Sequence, residues 1–234
     1  MTSRPAQSHP IFARVYAFMS RFGRETVGRY RQELLDGVSG RVLEIGAGNG
    51  DNFAHYPAGV SEVVAVEPEP HLRKLAFAAA ARAPVVISVQ DGVGERLPFA
   101  DGSFDVVVSS LVLCSVADPA QTLAELHRVT RPNGELRFFE HVRSSASVSA
   151  MLQLALDRSL IWPFMAGGCH CARQTVMEVE RCFTIERARE LSLARPWAPV
   201  NPFVIGVARR TGSTAEPRVE ERDQAGTPPR PDLA

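Results

Sequence analysis

The stretch Val42-Leu43-Glu44-Ile45-Gly46-Ala47-Gly48-Asn49-Gly50 decides the fold. Val42 to Ile45 is an apolar run broken only by Glu44, the pattern of a strand buried on both faces of a parallel sheet. Three glycines follow at alternate positions. Glycine accepts a positive φ and lets the backbone come close to a ligand. Asp51 and Asn52 then open a short helix-like segment that ends near Pro57. A strand, a glycine-rich turn and a helix start make a ligand site at the carboxyl end of a first strand.

The spacing narrows the ligand. A dinucleotide fingerprint, GxGxxG, needs its third glycine at position 51, where this chain has Asp51. No GxxxxGK[ST] run occurs either. Glu44 and Asp51 bring negative charge beside the loop, which suits a cationic or zwitterionic ligand better than a pyrophosphate. These residues resemble motif I of the class I S-adenosylmethionine-dependent methyltransferases, whose cofactor carries a sulfonium and an ammonium and no phosphate.

Downstream, Glu62 to Val66 predicts a second strand ending at Glu67, 21 residues after Gly46. That is close to the ~20-residue spacing of an acid that binds ribose hydroxyls. A carboxylate can accept two hydrogen bonds from a vicinal diol. Pro68 and Pro70 lead into a helix over His71 to Arg82, and Val85 to Val89 predicts the third strand. Asp91 to Asp105 (DGVGERLPFADGSFD) resembles the methyltransferase stretch often written GDAEELPF, with Val93 in place of the usual acid that meets the adenine amino group. Phe104 to Ser110 predicts the fourth strand, with Leu111 to Val116 continuing past it. A helix follows from Asp118-Pro119 to Val129, then a turn over Arg131 to Gly134 and a fifth strand over Glu135 to Phe139.

Leu111 to Val116 (LVLCSV), Glu140-His141-Val142, an amphipathic insert over Val148 to Met165 and then GGCHCARQT resemble the thiol S-methyltransferase-like group. The resemblance departs at His170 and Cys171, where that group more often has a less polar pair. It implies a Rossmann-like α/β fold: a seven-stranded, mostly parallel sheet with an antiparallel last strand and helices on both faces. The remaining elements are a helix over Arg173 to Arg181 and strands over Cys182 to Glu186 and Asn201 to Ala208, separated by Pro196 to Pro199.

Upstream, Ile11 to Arg21 and Glu25 to Asp36 have helical periodicity, with Ile11, Val15, Phe18 and Phe22 on one face of the first. Residues 1–10 have no apolar periodicity. Thr211 to Ala234 is rich in Pro, Gly and charge and is expected to be disordered. The expected organisation is an N-terminal helical cap over 1–37, a methyltransferase domain over 38–210 with a helical insert at about 145–170, and a tail over 211–234.

The resemblance implies S-adenosylmethionine as cofactor. It implies that Glu44, Gly46, Ala47, Gly48, Gly50, Asn52, Glu67, Pro68, Val93, Gly94, Glu95, Ser110 and Leu111 line its site. With Val93 offering no acid, adenine is expected against backbone amides near Val93 to Glu95. His141 follows the fifth strand on the ligand side, and histidine as a residue type can act as a base near neutral pH, so it is the first candidate to help a thiol react as thiolate. Arg173 and Cys169 are the further acceptor-side candidates. The alternatives are a quinol, phenol, lipid amine or specialised metabolite as acceptor. A nucleotide-binding oxidoreductase is disfavoured, because none of Tyr16, Tyr30 and Tyr56 begins a YxxxK pair.

Composition excludes other classes. The 234 residues carry 26 basic and 26 acidic side chains, which gives no electrostatic footprint for nucleic acid. Four cysteines (Cys114, Cys169, Cys171 and Cys182) are too few for a secreted disulfide scaffold. The spacing of Cys169, His170, Cys171 and Cys182 matches no common zinc pattern, so no metal is expected. Without an apolar leader or a run long enough to span a bilayer, a cytoplasmic enzyme with a small-molecule acceptor is expected.

Overall fold

A computed structural model describes residues 10–19, 24–193 and 201–210. The expectations for 1–9, for Pro196 to Pro199 and for Thr211 to Ala234 lie outside the described residues. The elements in chain order are α1 (Pro10–Met19), α2 (Arg24–Leu35), β1 (Gly40–Ile45), a 3-10 turn (Phe53–His55), β2 (Val60–Val66), α3 (Pro70–Ala80), β3 (Ile87–Gln90), β4 (Phe104–Ser110), α4 (Pro119–Val129), β5 (Thr130–His141), α5 (Ser147–Arg158), α6 (Ile161–Met165), α7 (Thr175–Glu180), β6 (Thr184–Leu191) and β7 (Phe203–Arg209).

The strands form one seven-stranded sheet in the order β3-β2-β1-β4-β5-β7-β6. All neighbours up to β5 pair in parallel, and β7 runs antiparallel to both β5 and β6. The order reverses between β1 and β4, so the loops that leave those two strands open a crevice at their carboxyl ends.

The period-2 alternation of β1 splits the core in two. Val42 joins Tyr30, Leu34 and Leu35 of α2, together with Phe53, Tyr56, Val63, Ala65, Val106 and Val108, on one face. Leu43 and Ile45 join Leu123, Leu126 and Val129 of α4, Val179 of α7, and Val64, Val66, Val107, Leu136 and Phe138 on the other. The helix starts follow the sequence signals. Asp118 caps α4 by accepting from the Gln121 N–H at 3.0 Å, with Pro119 in the first turn.

Several boundaries moved for identifiable reasons. β3 begins at Ile87 rather than Val85, and Val86 is 69% exposed at the sheet edge. The turn over Arg131 to Gly134 is absorbed into β5 as an irregularity: Phe104 pairs with Thr130, Val106 pairs with Glu135, and Asn133 takes φ 64°. β6 starts at Thr184 and runs to Leu191; most of its residues are exposed, so the polar end of this edge strand has no apolar alternation to reveal it. The helix expected over Arg173 to Arg181 is the shorter α7. Among the described side chains of α1, Ala13 and Ala17 are buried, against Leu72 of α3, whereas Val15 is half exposed.

The insert is two helices, broken where Leu160 takes φ 59°. Its apolar residues Met151, Leu160 and Phe164 are exposed. The docking of α5 rests on the polar Gln153, which accepts from the Ser144 N–H at 2.8 Å and donates to the carbonyls of Val142 (3.3 Å) and Asn201 (2.9 Å). Among the described residues no helix is long and apolar enough to cross a membrane.

Candidate active site

The glycine loop and the end of β2 are tied together. The Glu67 carboxylate accepts from the Gly48 N–H at 2.7 Å and the Glu69 N–H at 2.8 Å. Burial raises its pKa, against the pull of those two amides. Gly46 takes φ +57°, and a Cβ there would sit 2.5 Å from Val112 Cγ2. The carbonyls of Glu67 and Pro68 accept from Arg73 Nη1 at 2.6 and 3.0 Å, and Asp91 pairs with the same nitrogen at 2.9 Å.

Glu44 is spent on the protein. One carboxylate oxygen accepts from Asn52 Nδ2 at 2.8 Å and the other from the Tyr56 hydroxyl at 2.6 Å. Arg31 in turn donates to Asn52 Oδ1 at 2.6 Å and lies 3.7 Å from Asp51. This corrects the expectation that Glu44 and Asp51 present charge to a ligand: the first is enclosed by Asn52 and Tyr56, and the second faces Arg31. Burial pushes the Glu44 carboxyl up to about 7, outweighing the hydrogen bonds from Tyr56 and Asn52. Arg31 and Tyr56, which complete this network, carried no motif signal. Neither did Tyr16, whose ring packs over Gly48.

The loop after β4 is clamped from two sides. Glu140, fully buried at the end of β5, accepts from Ser109 Oγ at 2.7 Å, the Val112 N–H at 3.1 Å and the Cys114 N–H at 3.4 Å. Arg173 donates to the carbonyls of Leu113 (2.5 Å) and Val116 (2.7 Å). The sequence suggested Arg173 as an acceptor-side cation; its guanidinium instead holds backbone. Leu111 takes φ 62°, a costly conformation for a bulky side chain. Ser110 Oγ is buried and has no hydrogen-bond partner among the described residues. The Glu95 carboxylate accepts from the Ala117 N–H at 2.9 Å and the Asp118 N–H at 3.4 Å, so Val93 to Glu95 offer mainly backbone.

Beyond this loop His141 and the cysteines come together. His141 is 3% exposed, stacks on Phe203 at 5.0 Å, and its Nδ1 lies 3.4 Å from Cys169 Sγ. The Cys169 thiol is hydrogen-bonded to Cys114, which lowers its pKa, but the bond to Cys171 and burial outweigh that and push it up to about 12. Cys169 is therefore no free thiolate at neutral pH. Cys182 stands apart, against the α4 and α7 side of the core.

A cavity of about 580 Å³ lies between α1, α2, the 3-10 turn and α3. It reaches Asn49, Gly50, Asp51 and Leu111 but not Glu67 or Val93 to Glu95, so it borders the glycine loop without enclosing the residues expected for ribose and adenine.

Residues 43–138 match the model of the methyltransferase domain family. Thiol S-methyltransferase TMT1B of Mus musculus is 36% identical over 206 residues, covering 85% of this chain and 82% of that protein. Thiol S-methyltransferase TMT1A of Homo sapiens is 35% identical over 179 residues, covering 74% and 72%. Demethylmenaquinone methyltransferase of Renibacterium salmoninarum is 36% identical over 112 residues, covering 46% of each chain. Among solved structures, the N-methyltransferase NodS of Bradyrhizobium japonicum in complex with S-adenosyl-L-homocysteine superposes with a TM-score of 0.60 at 16% identity, covering 80% of this chain and 86% of that one. The [4+2]-cyclase SpnF superposes with a TM-score of 0.62 at 16% identity, covering 89% and 98%. The glycine loop, the acid ending β2 and the orphaned Ser110 hydroxyl fit the cofactor of this family, and the chain belongs to the class I S-adenosylmethionine-dependent methyltransferases.

Proposed function

We propose that this methyltransferase acts on the sulfur of a small, fairly apolar thiol. One observation carries the choice of acceptor. The likeness to the thiol S-methyltransferase TMT1B runs over 206 residues, which cannot fit inside the family domain at 43–138 and must reach into flanking segments that shape the acceptor side. The demethylmenaquinone methyltransferase matches over 112 residues only, and a quinol or phenol acceptor is the second reading.

S-Adenosylmethionine, when bound, supplies an already activated methyl group on a sulfonium sulfur. The chain's own residues supply position and exclusion of water. Gly46, Ala47, Gly48 and Gly50 let the backbone approach the methionine end, with Glu44 and Asn52 holding the loop from beneath. Glu67, beside Pro68, receives the ribose diol. Val93, Gly94 and Glu95 border adenine through their backbone. Ser110 and Leu111 border the cofactor site, where the Ser110 hydroxyl, without a partner among the described residues, would gain one. His141 and Cys169 stand on the acceptor side, and Arg173 fixes the loop between the two halves.

We assign the reaction to the reducing cytoplasm, a reading supported by four free cysteines. The balanced charge supports a small molecule rather than nucleic acid as partner. The test is S-adenosylhomocysteine release with matched panels of small thiols and of phenols and quinols. Release with thiols alone is expected. Release with quinols alone would replace the first reading by the second.

A further inference from the structure

One ring nitrogen of His141, Cys169 Sγ and Cys171 Sγ all lie within 4.8 Å of one another. A tetrahedral zinc ion, with bonds of about 2.3 Å to sulfur and about 2.0 Å to nitrogen, holds its donors roughly 3.5–3.8 Å apart. The 3.4 Å separation of His141 Nδ1 and Cys169 Sγ lies just short of that range, so a small adjustment would bring the pair to it. Two sulfurs and one imidazole nitrogen are a borderline-soft donor set, suited to zinc and not to magnesium or calcium.

The ligands are held in place independently of any ion. Asp157 of α5 accepts from the Cys171 N–H at 2.8 Å and the Ala172 N–H at 2.9 Å. The His170 N–H donates to the Cys114 carbonyl at 2.8 Å, and the Gly168 N–H to the Pro163 carbonyl at 2.7 Å. The Cys-His-Cys arch is thus pinned to α5, to α6 and to the loop after β4. The linear spacing concealed the set because its third member comes from the end of β5, whereas Cys182, the nearest cysteine downstream, faces elsewhere.

We propose that His141, Cys169 and Cys171 bind a zinc-class divalent cation, whose fourth position is available to an external sulfur ligand. Cys114 is hydrogen-bonded to Cys169 but falls outside the group of three mutually close donors. Cys171 and His141 are buried and Cys169 is only partly so, which leaves the Cys169 side as the approach. The identity of the fourth ligand rests on the thiol reading above. A thiol with a pKa near ~8.5 is mostly protonated at neutral pH. On coordination its sulfur lone pair binds the cation and its proton passes to solvent, with no change of oxidation state.

The experiment uses the full chain without a polyhistidine tag, purified under reducing conditions. Metal content is measured, and Co²⁺ is then exchanged in. The expected result is about one zinc per chain, and a cobalt form with an intense near-ultraviolet sulfur-to-metal band and visible tetrahedral bands. Cys171→Ser and His141→Gln lose tight binding, whereas Cys182→Ser keeps it. A wild-type protein with neither bound metal nor a thiolate band overturns the site, and this holds even if a variant fails to fold. A small aliphatic thiol, added without cofactor, is expected to shift the cobalt bands; unshifted bands overturn the open fourth position. Thiol turnover by a wild-type protein that neither carries zinc nor takes up cobalt would overturn the metal site while leaving the thiol reading intact.

Discussion

Glu67 Oε2 accepts the Gly48 N–H at 2.7 Å, so the acid that ends β2 also fixes the loop that ends β1. Glu67→Ala therefore removes two things at once: the proposed acceptor for the ribose diol and the anchor of the glycine loop. Lost charge-assisted hydrogen bonds of this kind cost about 1.5–3 kcal/mol, or more than tenfold in affinity. Glu67→Gln is not expected to rescue. Its amide N–H₂ would face either the Gly48 or the Glu69 N–H, donor against donor. Titration calorimetry with S-adenosylhomocysteine checks both variants, and an affinity within threefold of wild type for Glu67→Ala would remove Glu67 from the site.

Glu44 makes stability depend on pH. Its folded pKa is about 7 against an ordinary value of 4.5, so between those values the folded chain binds the proton more tightly than the unfolded chain. Stability from this group is then lost as pH rises through that window, by up to about 3 kcal/mol. Glu67 and Glu140, also raised by burial, act in the same direction. His55, His127 and His170, lowered by burial, act in the opposite one. The isolating comparison is Glu44→Gln, whose amide can accept from Asn52 and donate to the Tyr56 oxygen. Denaturant midpoints at pH 5 and pH 7.5 are expected to differ less for this variant than for wild type. Parallel pH profiles would place the titration elsewhere.

The β1 pattern, the glycine turn after it and the capping signals before α4 were legible because local physics sets them: buried strands are apolar, tight turns need glycine, and helix starts need acceptors. What stayed hidden depends on contacts made far along the chain. Gln153 reads as a polar break in an apolar helix, yet it is buried and hydrogen-bonds α5 to the chain at Ser144 and Asn201. Arg173 reads as a free cation because its partners, the Leu113 and Val116 carbonyls, are backbone groups about 60 positions away, a separation no side-chain pattern reports. Glu140 reads as an ordinary strand-end charge, though the Ser109 hydroxyl of β4 and the Val112 and Cys114 amides of the loop after it donate to it.

That placement of Arg173 predicts a particular kinetic signature. If the guanidinium holds the loop after β4, Arg173→Ala lowers kcat by an order of magnitude or so and lowers thermal stability, while the pH dependence of turnover stays where it was. A cation that stabilised an acceptor thiolate would behave otherwise: its loss would move the apparent pKa of kcat/KM upward. Rate profiles from pH 6 to pH 9.5 with a small thiol separate the two, and Arg173→Lys is expected to recover little, since one ammonium cannot span both carbonyls as the fork does.

Gly46 and Val112 are coupled through the same clamp. A Cβ on residue 46 would sit 2.5 Å from Val112 Cγ2 and 2.8 Å from Cγ1, so one of the two loops has to yield. Val112 cannot move freely, because its N–H is held by the buried Glu140 at 3.1 Å. Gly46→Ala is therefore expected to lower cofactor affinity at least tenfold, through the clash and through the φ of +57°, which costs a Cβ-bearing residue about 1–2 kcal/mol. The double variant Gly46→Ala, Val112→Ala removes the two shortest contacts, to Cγ2 and Cγ1, and leaves the 3.2 Å approach to Cβ and the φ cost. Its affinity should lie between those of wild type and of Gly46→Ala, and its interaction energy should be non-zero. Simple additivity of the two single changes would mean that Gly46 acts through its own backbone alone and that the loops after β1 and β4 are not packed as a unit.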